Sequence, residues 1–286
     1  MDKLIKTKVI RTKLSSGQVT MGTWQQIGSK INIKLGIIEM RIGLITGCGK
    51  GIGLATAENI LRKFTDDKLI GITRTYTNEL KNLLDKYSER FFIKICDISD
   101  YEKLDKVFDE VKENIGIIDY AVCNAGLRSR KSIELSSLEV YRNIFEVNTI
   151  GNINIAKKLI SSSKKEDKHL NILFISSIVG ARGFSELSTY AVSKSALEGF
   201  VKSAAIELAK EKVQLNCLSP GFVNSSYSDD FQLNKKDLYK WTIEQTPMGR
   251  WGSCEEIANF ISFLISKENS YMTGTVLYCD GGWTAK

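Results

Sequence analysis

The stretch Ile42-Gly43-Leu44-Ile45-Thr46-Gly47-Cys48-Gly49-Lys50-Gly51-Ile52-Gly53 decides the fold. Its first five residues make a short apolar, β-branched run, and the glycines after them mark a sharp change of direction. From Ile52 to Phe64 the apolar residues fall at helical spacing. A strand that turns through glycines into a helix lets a phosphate approach the backbone, where the helix N-terminus offers unpaired N–H groups and the positive end of its dipole. The same loop could equally be a tight turn and nothing more, so its surroundings must decide.

Working outward, apolar runs recur at Leu69–Thr73, Phe91–Cys96, Ile117–Cys123, Leu170–Ser176, Val213–Leu218 and Thr275–Cys279. Helix-period segments lie between them, including Tyr101–Ile115, Val140–Ser161, Tyr190–Ala209 and Glu255–Ile265. Short runs apolar on both faces and separated by helices predict an α/β fold: a Rossmann-type, doubly wound parallel sheet of about seven strands in a single domain. The predicted domain spans residues 40–286. Residues 1–39 show no helical or strand register and read as a basic extension of unassigned role.

Composition narrows the chemistry. Eight basic residues against two acidic ones in residues 1–41 account for six of the seven net positive charges, so the basic character belongs to the extension and no nucleic-acid partner is expected for the domain. That extension could also tether the domain to an acidic partner or a nucleic-acid backbone. No apolar run reaches the ~18 residues of a membrane span, and no secretory-type apolar stretch opens the chain, so a cytoplasmic protein without a membrane partner is expected. Six scattered cysteines lack a C-x-x-C pair, and His169 is the only histidine. A disulfide framework, a metal site and a histidine-based triad are therefore not expected, leaving Tyr, Lys, Asp, Glu or Cys as general acid or base.

Thr46-Gly47-x-x-x-Gly51-x-Gly53, taken with Tyr190-Ala191-Val192-Ser193-Lys194, resembles the short-chain dehydrogenase/reductase family. The resemblance spans residues 41–283 and includes Cys123-Asn124-Ala125-Gly126, Asn148, Ser177, Pro220-Gly221, Pro247-Met248-Gly249-Arg250, Thr273-Gly274 and Asp280-Gly281-Gly282. It implies a nicotinamide dinucleotide held by Gly47, Lys50, Gly51, Ile52, Gly53, Asn124, Ala125, Gly126, Pro220, Gly221 and Val223. It also implies that Asp97 contacts the adenine, although a carboxylate there could instead cap a helix. A homotetramer or dimer is the assembly implied, with the Tyr190 helix and the C-terminal strand in its interfaces.

The second strand ends Gly71-Ile72-Thr73-Arg74, with no carboxylate until Glu79. An acid at that strand end binds the ribose 2′-OH of NAD, whereas a nearby arginine accommodates the 2′-phosphate of NADP. Arg74 and Lys50 therefore predict NADP(H).

Tyr190 and Lys194, four residues apart on a helix, project side by side. A tyrosine with a pKa near 10 is a poor proton donor at neutral pH, and an adjacent ammonium with the nicotinamide charge is expected to lower it. Tyr190 would then exchange a proton with the carbonyl or alcohol oxygen while Lys194 also holds the nicotinamide ribose. Ser177, thirteen residues before Tyr190, would orient the substrate oxygen, with alternation turning Ser176 away. Asn148 matches the family's fourth catalytic position, where a water relays protons to the lysine; an Asn within a helix can also simply bend it.

Specificity is expected from Ala181–Thr189 and from 224–239, a segment that reads as a mobile lid, with Phe222, Tyr227 and Phe231 for apolar contact and Asp229 and Asp230 nearby. Ser225 stands where relatives usually carry Thr. The expected reaction is NADP(H)-dependent interconversion of a carbonyl and a secondary alcohol on a small ketone, sugar or polyol. A 3-oxoacyl-(acyl-carrier-protein) reductase is the alternative, although such enzymes tend to carry arginine near Leu135. A non-catalytic NADP(H)-binding regulator is the alternative of another class.

Overall fold

Ile42–Thr46 forms β1, every residue of it buried, and Gly51–Lys63 forms helix α1 directly after the glycine turn. The computed structural model describes residues 40–225 and 228–286, so the basic extension 1–39 and Tyr227 lie outside the described residues. The chain then alternates: β2 (Lys68–Thr73), α2 (Asn78–Lys86), β3 (Phe91–Ile95), α3 (Tyr101–Asn114) and β4 (Tyr120–Cys123). It continues through α4 (Leu138–Phe145), a π-helical turn (Glu146–Gly151), α5 (Asn152–Lys165), β5 (Leu170–Ile175), α6 (Ser188–Leu208) and β6 (Val213–Pro220). After β6 come the two-residue strand β7 (Val223–Asn224), α7 (Ser228–Asn234), α8 (Lys236–Gln245), β8 (Gly252–Ser253), α9 (Cys254–Leu264) and β9 (Val276–Cys279).

The main sheet has seven strands in the order β3-β2-β1-β4-β5-β6-β9, all parallel. Its order reverses between β1 and β4, and open α/β sheets bind ligands outside the carboxyl ends of their strands at such a switch point. Both faces are covered. Ile172 and Phe174 of β5 pack toward Leu104 and Val107 of α3, Ile155 and Leu159 of α5, and Leu197 and Val201 of α6. Leu173 and Ile175 face the other way, toward Ile60 and Leu61 of α1, Leu80 and Leu83 of α2, and Ile257 and Ile261 of α9. Burial on both sides suits a strand apolar but for Asn171, whose Nδ2 donates to Leu264 O at 2.8 Å, and each buried apolar side chain contributes about 1.5–3 kcal/mol.

Most strand ends match the sequence reading within a few residues, and two differences have physical causes. Helix α2 fills the connection between β2 and β3; Thr77 caps it by accepting from Leu80 N at 3.2 Å, and Leu80, Leu83 and Leu84, with Tyr87 just beyond it, recur at helical spacing against the core. The expected continuous helix Val140–Ser161 is broken by the π turn at 146–151. The expected lid contains helices α7 and α8, and Phe231 of α7 is buried against Trp251, ring centroids 5.7 Å apart. No helix among the described residues is long and apolar enough to cross a membrane.

Candidate active site

Two glycines of the turn are required by geometry. Gly47 has φ +69°, and a Cβ there would meet Ala125 Cα at 2.9 Å; a Cβ on Gly53 would lie 2.1 Å from the Gly47 carbonyl oxygen and 2.6 Å from Asn124 Nδ2. Asn124 ties β1 to β4 at this point, its Nδ2 donating to Thr46 O (3.0 Å) and Gly47 O (3.2 Å) while its backbone N donates to Thr46 Oγ1 (3.0 Å). Helix α1 has no side-chain cap and no acid in its first turn, which leaves its N-terminal field directed at the cradle. A bare backbone cradle beside an uncapped helix N-terminus fits the pyrophosphate of a dinucleotide.

A cavity of about 670 Å³ runs from this cradle along the carboxyl ends of the strands. Gly47, Lys50, Gly51, Ile52, Gly53, Arg74, Asp97, Asn124, Ala125, Gly126, Ser177, Tyr190, Lys194, Pro220, Gly221 and Val223 all line it. Strand ends and the start of α6 thus bring together every candidate but one.

At one end, Arg74 Nη1 sits 3.5 Å from Asp97 Oδ2, both half-exposed. The end of β2 shows Arg74 and no carboxylate; the fold adds one from β3, because Thr73 and Ile95 are register partners and the chain beyond each stays close. The helix-cap alternative for Asp97 is corrected: Asp100 caps α3, accepting from Lys103 N, while Asp97 Oδ1 accepts from Ser99 N at 3.0 Å and Ser99 Oγ at 2.7 Å. Burial raises the Asp97 pKa, but the Ser99 hydrogen bonds and the Arg74 charge outweigh it and hold the carboxyl below its usual range.

At the other end stand Ser177, Tyr190 and Lys194. Ser177 and Tyr190 line the same cavity, Ser177 Oγ accepting from Val179 N at 3.4 Å, whereas the hydroxyl of Ser176, which also lines it, is directed to α6 and donates to Glu198 Oε1 at 2.8 Å. Lys194 is almost fully buried, its Nζ donating to Ile175 O at 2.7 Å and lying 5.7 Å from the Tyr190 ring centroid. Burial pushes its pKa down to about 8. Among the protein's own groups, the expected lowering of Tyr190 does not result: burial raises its pKa, and the Arg128 charge and Ser177 hydrogen bond offset this only in part.

Asn148 is the exception to the shared lining. It lies fully buried behind the wall, with Oδ1 accepting from Leu127 N (2.6 Å) and Nδ2 donating to Leu127 O (2.8 Å) and Ser193 Oγ (2.9 Å). Its amide joins the β4 loop to α6, and the π turn presents it there.

Part of the cavity wall is aromatic. Phe184, Phe222, Phe231 and Trp251 line it, with Phe222 stacked on Trp251 at 5.3 Å and Trp251 Nε1 donating to Thr242 Oγ1 at 2.8 Å. Arg128 lines it too, its guanidinium carbon 5.9 Å from the Tyr190 ring centroid. Sequence reasoning missed Arg128 and Trp251; neither lies in a recognisable motif, though Arg128 follows Asn124-Ala125-Gly126 by two residues. No cluster of His, Cys, Asp and Glu among the described residues could hold a metal ion.

Residues 47–284 match a family profile described as enoyl-(acyl carrier protein) reductase. The chain is 31% identical over 249 residues to the 3-oxoacyl-(acyl-carrier-protein) reductase of Aquifex aeolicus (strain VF5), covering 86% of this chain and 98% of that protein. It is 31% identical over 244 residues to the Escherichia coli (strain K12) protein of the same description, covering 85% and 97%. Among solved structures, ElxO with NADP bound matches with a TM-score of 0.79 at 25% identity, over 86% of this chain and 100% of that one.

Proposed function

This chain belongs to the short-chain dehydrogenase/reductase family of oxidoreductases, and on that footing we propose that it is an NADP(H)-dependent reductase of a small ketone, sugar or polyol-derived carbonyl. The observation that carries the reading is the meeting of Ser177, Tyr190 and Lys194 in the cavity that begins at the glycine cradle. Bound NADPH supplies the hydride. Ser177 orients the carbonyl oxygen, and Tyr190, its phenol kept protonated by burial, donates the proton that oxygen needs. Lys194 sets a positive charge beside the phenolate that this transfer leaves. Asn148 acts through Leu127 and Ser193 as a positioning residue. Lys50 and Arg74 would hold the 2′-phosphate, with Asp97 pairing Arg74.

Turnover of NADPH against a panel of acyl thioesters, ketosugars, quinones and small diketones tests the reading. Turnover on one class supports it, and tight NADPH binding with none would move the reading toward a cofactor-sensing protein. Arg74→Glu is expected to raise the KM for NADPH roughly 10- to 100-fold and to narrow the preference over NADH. An unchanged NADPH/NADH ratio would remove Arg74 from phosphate recognition.

The pH dependence follows from Lys194. Its charged form persists below about 8 and is lost as pH rises through that value, while Tyr190, shifted upward, still holds its proton there. The kcat for reduction therefore declines above pH about 8, and Lys194→Met removes that limb. A wild-type profile level up to about pH 10 would show that the ammonium is not used.

A further inference from the structure

We propose that Glu198 is a positioning residue for the reduction: its buried carboxylate bridges the fork between the carboxyl ends of β5 and β6, and so sets Ser177, on one arm, against Pro220-Gly221, on the other. This rests on the reductase reading for the reaction and adds to it a group behind the site. Glu198 is not among the residues that line the cavity, and acts through those that do.

Strands β5 and β6 pair in register as far as Ile175 and Leu218. One more backbone bond joins them, Ser176 N donating to Leu218 O at 2.7 Å. Beyond it the strands part. Ser219 and Pro220 go on to pair with Tyr278 and Cys279 of β9, while Ser177 enters the cavity wall and leads into the turn Ile178–Gly180. Glu198 stands in this fork, 7% exposed, where its Oε1 accepts from Ser176 Oγ at 2.8 Å and from Ser219 Oγ at 3.0 Å. One carboxylate oxygen therefore joins two strand ends at the residues that directly precede Ser177 and Pro220, both of which line the cavity.

The bridge is also tied to the helix that carries the proton donor. Glu198 follows Lys194 by one turn of α6, and Lys194 Nζ donates to Ile175 O, the residue before Ser176, at 2.7 Å. The turn after Ser177 rests on the same carboxylate: a Cβ on Gly180 would lie 2.6 Å from Glu198 Oε1 and 3.1 Å from Ser176 Oγ. Ser195 Oγ, again on α6, donates to Gly180 O at 2.7 Å. A buried carboxylate is costly, and an apolar side chain would fill the same space at less expense. What the apolar residue could not do is accept a hydroxyl from each arm of the fork. The distance between those arms matters, because a misplacement of about 1 Å at a reacting centre can cost on the order of 10²-fold in rate.

The test compares Glu198→Ala with Glu198→Gln, which keeps an oxygen acceptor for both hydroxyls. Single turnovers use NADPH and a carbonyl that the wild type reduces, with rates counted per NADPH-binding site so that misfolded protein is left out. Glu198→Ala is expected to slow hydride transfer roughly 10- to 100-fold while the Kd for NADPH stays within about threefold, and Glu198→Gln recovers most of the rate. Gly180→Ala, whose methyl presses on the carboxylate, slows the wild type but adds little to Glu198→Ala. A Glu198→Ala rate within about threefold of wild type would overturn the bridge and leave the reductase standing. So would an equal loss in Glu198→Gln, or fully additive losses with Gly180→Ala. Should the wild type reduce none of the carbonyls, the reductase reading fails by itself and the fluorescence of bound NADPH decides the bridge. Nicotinamide emission and lifetime that move toward those of free NADPH in Glu198→Ala and return in Glu198→Gln support it; values unchanged in Glu198→Ala overturn it.

Discussion

Tyr190→Phe is expected to lower kcat for carbonyl reduction by roughly 10²- to 10⁴-fold while NADPH binding stays close to wild type. The substitution removes one oxygen and leaves the ring that contacts Arg128 and Lys194. Packing is retained, and the loss falls on proton transfer to the carbonyl oxygen. No histidine lies near enough to substitute, since His169 precedes β5 at the opposite end of that strand from Ser177. Single-turnover absorbance at the nicotinamide band, with NADPH affinity measured in parallel, checks this. Activity retained within about tenfold would mean that another group or water delivers the proton.

The second large effect is expected from Gly53→Ala. A Cβ 2.1 Å from the Gly47 carbonyl oxygen cannot be accommodated without opening the turn, because that oxygen and Asn124 Nδ2 belong to the link between β1 and β4. Overpacking of this kind costs about 1–3 kcal/mol. The displaced backbone is also the surface that a pyrophosphate would approach, so NADPH affinity should fall by at least tenfold, about 1.4 kcal/mol. Thermal unfolding with and without NADPH separates the two: the apoprotein melts lower, and the stabilisation by NADPH shrinks. A variant that loses stability yet keeps its NADPH-dependent shift would show that the turn is structural only.

Much of this architecture was legible along the chain because its causes are local. Runs buried on both faces, such as Leu170–Ile175, carry their own signal, and so do the glycines that a strand-to-helix turn demands. The i, i+4 spacing of Tyr190 and Lys194 survives intact because a helix converts sequence separation directly into proximity. Helix α2 is equally local, since Leu80, Leu83, Leu84 and Tyr87 recur at helical spacing and pack against the core. The break at 146–151 was hidden: the flanking α4 and α5 keep helical spacing, and only the buried contacts of Asn148 with Leu127 and Ser193 show why the extra residue is tolerated.

By itself, then, the sequence determined the alternation of strands and helices, the phosphate-type turn and the identity of the paired tyrosine and lysine. Tertiary structure alone decided what surrounds them. It set Asp97 beside Arg74 through the β2–β3 register, withdrew Asn148 behind the cavity wall, and brought Arg128 and Trp251, more than a hundred residues apart, into the wall of one cavity. It also turned the protein's own influence on Tyr190 upward, because burial is a property of the packed chain that no local spacing records.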